Sequence, residues 1–110
     1  SRHLAKYKKE TGKEAYCLFI APKINKACIA YFFMLHKINI EFYGGKSVIV
    51  PIDINTFRKM LTDSYKAGYQ PNSKQVKSLF DYSLEVAEKS NNEVEWYTKV
   101  TDKALNWLSL

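Results

Sequence analysis

Two short apolar runs, each ended or interrupted by proline, flank a helix-length apolar stretch, and this arrangement leaves the chain few folds to choose from. The first run is Tyr16-Cys17-Leu18-Phe19-Ile20-Ala21, stopped by Pro22. Helices rarely finish in so few residues, so a run this short, rich in aromatic and branched side chains, reads as a strand buried on both faces. The second run, Ser47-Val48-Ile49-Val50-Pro51-Ile52, has the same character and follows a Gly44-Gly45 turn. Between them, Asn25 to Ile40 is apolar nearly all round from Ala27 to Leu35. A helix of that kind must be covered on more than one side. Strand, buried helix and strand make a βαβ unit when the strands run parallel. The expected fold class is therefore α/β, with strands near 15–21 and 47–53 joined through a helix at 25–38. Leu18, Ile20, Ile29, Phe32, Phe33, Ile49 and Phe57 are the expected core.

The remaining segments read as helices. Residues 1–13 place Leu4 and Tyr7 on an apolar side, while Arg2, Lys6, Lys9 and Lys13 share a stripe at helical spacing. Gly12 is a natural stop for that helix. It begins at Ser1 with no lead-in, which points to a piece of a longer protein. After the second strand, Asn55 is the expected cap of a helix that buries Ile54, Phe57, Leu61 and Tyr65. Pro51 puts the second strand at an edge or near its own end. Gly68 to Pro71 is the best linker. Ser73 then caps a helix with Val76, Leu79, Phe80, Leu84 and Ala87 on one face. Past Ser90-Asn91-Asn92, a last helix carries Val94, Tyr97, Val100, Ala104 and Leu108, with Trp96 and Trp107 near the edges of that face.

No motif for chemistry can be assembled from these residues. A nuclease or phosphoryl-transfer site needs clustered carboxylates around metal ions, yet no lysine has an acid two positions before it. Gly44-Gly45-Lys46-Ser47 precedes a strand and lacks the rest of a phosphate loop. Asp53 stands at a strand end, where active-site carboxylates of α/β sheets gather, but no second acid joins it locally, which favours a capping role. His3 and His36 lack a partner at motif spacing and read as satisfied surface or core histidines. Cys17 and Cys28 lie in apolar runs, so buried reduced thiols are favoured over a disulfide. No stretch approaches the ~20 apolar residues of a membrane span and no signal peptide opens the chain. The expectation is a cytoplasmic protein with no membrane partner.

The net charge of +6 is unevenly placed. Residues 1–70 hold 12 Lys/Arg against 5 Asp/Glu, whereas residues 71–110 hold 5 against 6. A basic front half beside a neutral back half suits one face that meets a polyanion, most often nucleic acid.

Arg2-His3-Leu4, Tyr7-Lys8-Lys9, the run Leu18 to Ile24 and Ile49-Val50-Pro51-Ile52, taken in order, resemble the C-terminal part of AlwI-type restriction endonucleases. These are relatives of the FokI-type cleavage domain in the PD-(D/E)XK nuclease superfamily. The resemblance implies a parent that hydrolyses the phosphodiester bonds of double-stranded DNA with Mg²⁺, cutting or nicking it, with a homodimer among its assemblies. In that family the metal-binding acids lie before the helix that opens this chain, so no catalytic or metal-binding residue is assigned here and no cofactor is expected on this fragment. Residues 1–70 would form the second half of the nuclease-like core, with 71–110 a helical pair packing on it. Arg2, His3, Lys6, Lys9, Lys13 and Lys23 are the expected DNA contacts. The alternative is a small basic α/β module that binds nucleic acid or a protein partner and does no chemistry.

Overall fold

A computed structural model describes residues 16–38, 48–68 and 73–108. Strand β1 spans Tyr16–Ala21 and strand β2 Val48–Asp53, with helix α1, Lys26–Lys37, between them in sequence. The strands pair parallel, in register from Tyr16↔Val48 to Ala21↔Asp53. The βαβ unit is therefore present, and the fold is α/β. Three helices follow: α2 (Ile54–Lys66), α3 (Ser73–Lys89) and α4 (Glu93–Leu105). None of the helices is long and apolar enough to cross a membrane.

Helices lie on both faces of the strand pair. Alternate strand residues point to opposite faces: Phe19 meets Phe32 of α1 at 5.2 Å between ring centroids, and Tyr16 stacks on Phe80 of α3 at 4.9 Å. Val48 to Ile52 are all buried, so β2 has the two-faced burial expected of it. β1 does not. Cys17 and Phe19 are exposed, and Leu18 and Ile20 are only half-buried. The reason is positional, because α1 packs mainly on β2. Neither cysteine is disulfide-bonded, and the exposure of Cys17 corrects the reading of two buried thiols; Cys28 is half-buried. Pro51 is buried in a pair whose strands are both edges among the described residues, a place where its missing N–H is tolerated.

The core runs from Ile29, Phe32 and Leu35 of α1, through β2, to Leu79, Phe80, Val86, Trp96, Val100 and Ala104 of α3 and α4. Phe33 and Phe57, expected within it, pack against it half-buried. Trp96 lies at its centre, not at the edge of its helix face. Its indole N–H donates to the Ser83 carbonyl at 3.0 Å, and its ring meets Phe33 and His36. Val94 and Val76, expected to be buried, point outward instead. His36 is a satisfied core histidine: Nδ1 lies 2.8 Å from the Phe32 carbonyl and Nε2 3.0 Å from the Ser83 hydroxyl. That carbonyl can only accept, so Nδ1 carries a hydrogen. The Ser83 hydroxyl has one hydrogen to share between Nε2 and the Phe80 carbonyl, 2.7 Å away.

Helix α2 differs most from its sequence reading. Asp53, not Asn55, caps it. Its buried residues are Thr56, Met60 and Ser64, one below the other along a single line, while Leu61 is 53% and Tyr65 88% exposed. The helix is turned so that one edge of its apolar arc faces the core and the other faces solvent. Met60 fixes this orientation: its side chain is buried, and its carbonyl accepts from the Ser64 hydroxyl at 3.0 Å and the Trp107 indole at 3.3 Å.

Candidate nucleic-acid interface

The register that pairs Ala21 with Asp53 sets the two strand ends side by side. In open α/β sheets, ligands bind beyond the carboxyl ends of the strands. From β1 the chain turns through Pro22 and Lys23 to Asn25, whose side chain caps α1 by accepting from the Cys28 N–H at 2.9 Å. Lys26 is thereby the first helical residue. From β2 the chain enters α2 directly, and Arg58 lies about one turn inside it. Lys23, Lys26 and Arg58 are all exposed. Two helix N-termini and three cations thus stand around one edge of the sheet, a setting that favours anions.

Asp53 brings one negative charge to the same edge, held in place by its cap hydrogen bonds. One oxygen accepts from the Thr56 N–H and the other from the Thr56 hydroxyl, each at 2.9 Å. This is the capping role, with both oxygens occupied. Asp53 also faces Tyr97. Burial first, and the Asp53 charge second, push the Tyr97 hydroxyl above its ordinary value, against a smaller opposing effect of its hydrogen bond with Thr101. Among the described residues no three His, Cys, Asp or Glu side chains converge. These residues do not fit a divalent-cation site.

The surface cations are sorted along the chain. Lys77 pairs with Asp81, Lys89 with Glu85 and Lys99 with Glu95, each four residues apart on α3 or α4. On α2, Lys59 pairs with Asp63 in the same way. Lys23, Lys26, Arg58 and Lys66 have no acid at that spacing and form no ion pair with the described residues; Lys74 is the one similar lysine of α3. Exposed pairs of this kind contribute little stability, but they cancel field. The back of the molecule is close to neutral, and the strand–helix unit keeps its positive charge.

Of the expected DNA contacts, Lys23 lies at this edge. Arg2, His3, Lys6, Lys9 and Lys13 lie outside the described residues, as do Gly44-Gly45 and most of the expected linker. Lys26, Arg58 and Lys66 were not among the expected contacts.

A family model for the AlwI restriction endonuclease matches residues 1–60. The chain belongs to the AlwI restriction endonuclease family. No curated protein matches it. For an AlwI-family chain the position of the match is informative: it takes in β1, α1, β2 and the first half of α2. Lys23, Lys26 and Arg58 fall inside it, and the neutralised lysines of α3 and α4 fall outside. The family implies DNA as the substrate.

Proposed function

We propose that this chain is the DNA-holding part of a metal-dependent, cytoplasmic endonuclease of the PD-(D/E)XK superfamily, with the sheet's carboxyl edge against the sugar-phosphate backbone. Lys23, Lys26 and Arg58 contact phosphate oxygens there, and Arg2, His3, Lys6, Lys9 and Lys13 extend the same contact. Phosphate contacts position the duplex without reading its sequence. The carboxylates that hold Mg²⁺ lie upstream of this chain in the parent enzyme. The described residues do not supply them, since Asp53 is spent on its cap and has no acidic neighbour at hand. Cutting both strands would call on two copies.

The observation that carries this reading is that Lys23, Lys26 and Arg58, all inside the family match, form no ion pair with the described residues, whereas Lys77, Lys89 and Lys99 beyond it are each paired with an acid. The test is binding of the purified chain to a labelled DNA duplex, followed by anisotropy at rising salt. Lys23→Glu is expected to weaken binding and to lower the log–log salt slope by about 0.9, the value for one phosphate. With Mg²⁺ the chain alone leaves supercoiled DNA intact. A slope that Lys23→Glu does not change would remove Lys23 from the interface, and metal-dependent nicking abolished by Asp53→Asn would refute the assignment of the carboxylates elsewhere.

A further inference from the structure

The outward face of α2 carries a second set of groups suited to the same polyanion. Asn55, Arg58, Thr62 and Lys66 follow one another at intervals of three and four residues, so they share one stripe, and all four are exposed. Tyr65 stands beside them, 88% exposed. The acids of this segment are both engaged: Asp53 with Thr56, and Asp63 with Lys59. Every side chain on the stripe can donate a hydrogen bond, and two are unpaired cations. The outer face of α3 is a control within the same molecule, because there Lys77 and Lys89 alternate with Asp81 and Glu85 and are neutralised by them.

We infer that α2 lies along the DNA backbone, with Arg58 and Lys66 each meeting a phosphate and Thr62, Asn55 and Tyr65 donating between and beside them. The inference rests on the DNA reading above and extends it from the sheet edge along a whole helix. The dimensions fit. Arg58 and Lys66 are separated by about 12 Å along the helix axis, enough to reach two separate phosphates of a strand whose charges recur every ~3.4 Å of duplex axis. Because Arg58 stands near the sheet's carboxyl edge and Lys66 at the far end of α2, the contact would continue the track begun by Lys23 and Lys26. Leu61 and Tyr65 would suit a protein partner as well, but such a partner would leave Arg58 and Lys66 without anions unless it were acidic, and DNA supplies them.

The experiment compares the wild-type chain with R58A/K66A and with K77A/K89A, which removes the same charge from α3. Each is titrated against a labelled DNA duplex between about 50 and 200 mM KCl. R58A/K66A is expected to have a salt slope smaller by about 1.8, so that the wild type loses roughly tenfold more affinity across that range than the variant does. K77A/K89A should keep the wild-type slope. Equal slopes for wild type and R58A/K66A would overturn the inference and remove Arg58 from the sheet edge, while leaving Lys23 and Lys26 there to be tested by Lys23→Glu. An equal loss in K77A/K89A would overturn it too, by reducing the effect to bulk charge. A wild-type chain without salt-dependent DNA binding would sink both readings together. All the altered side chains are exposed, and circular dichroism of each variant confirms that it is folded.

Discussion

Met60 and Leu61 are neighbours on one helix, both large and apolar, and the structure gives them opposite fates. Met60 is 2% exposed and Leu61 53%. Cutting Met60 back to Ala empties a packed site beside Trp107 and should cost about 2–5 kcal/mol, the usual range for Met or Leu to Ala in a core. Leu61→Ala removes a side chain that is already half in water, and alanine is the better helix former. Its cost should be below about 1 kcal/mol. Urea unfolding followed by helical circular dichroism reads both, with m-values checked for constancy so that the midpoint shift reports stability. For a chain near this size, each kcal/mol moves the melting temperature by about 4–8 °C, so the two variants should be well separated. Equal costs, or a larger loss at Leu61, would show that α2 is turned the other way. The solvent stripe built on Arg58 and Lys66 would then fall as well.

The cap of α2 can be tested by the same unfolding measurement: Asp53→Ala should cost about 0.5–2 kcal/mol, and Asn55→Ala close to nothing, whereas the reverse order would restore Asn55 as the cap. Tyr97 predicts a pH effect. Its hydroxyl holds its proton to higher pH in the folded chain than in the unfolded one, where the pKa is about 10. Its contribution is intact below about pH 10 and lost as the pH rises through the folded value, so stability should fall on the alkaline side less steeply in Tyr97→Phe. Absorbance titration of tyrosinate, taken as wild type minus Tyr97→Phe, should show a late component that moves to lower pH in Asp53→Asn. A late component that Asp53→Asn leaves unmoved would refute the influence of Asp53.

The central βαβ unit could be read from the sequence because its signals are local. Pro22 ends β1, Asn25 is a good cap one residue before α1, and the run at Val48 is too short for a helix. The orientation of α2 was not legible in the same way. Periodicity finds an apolar arc on a helix but not which edge of the arc its neighbours will cover. Here α4 and Trp107 approach from the side of Thr56, Met60 and Ser64, two of which are small and polar and so carry no hydrophobic signal. Asp53 and Asn55 are both good caps by type, and only the end of the β2 ladder decides between them. Trp96 was misplaced for a related reason. Its position at the centre depends on a hydrogen bond to Ser83 across the α3–α4 pair, and no spacing within α4 announces it. At the candidate interface, Lys23 was among the expected contacts, and Lys26 and Arg58 were not.

The parallel pairing of β1 with β2 has a consequence for how the chain reaches this structure. An antiparallel pair can start from a tight turn, but a parallel pair has no such local nucleus, and here the whole of α1 lies between each residue and its ladder partner. Closing that span costs entropy before any strand contact repays it. The α3–α4 pair faces no such delay, since three residues, Ser90 to Asn92, separate its helices and Trp96 already reaches back to Ser83. The helical pair is thus the natural early-forming unit, and the ladder is the slow, non-local step. Until it closes, the apolar residues Val48 to Ile52 have no cover, and the newly made chain carries them exposed through its slowest step.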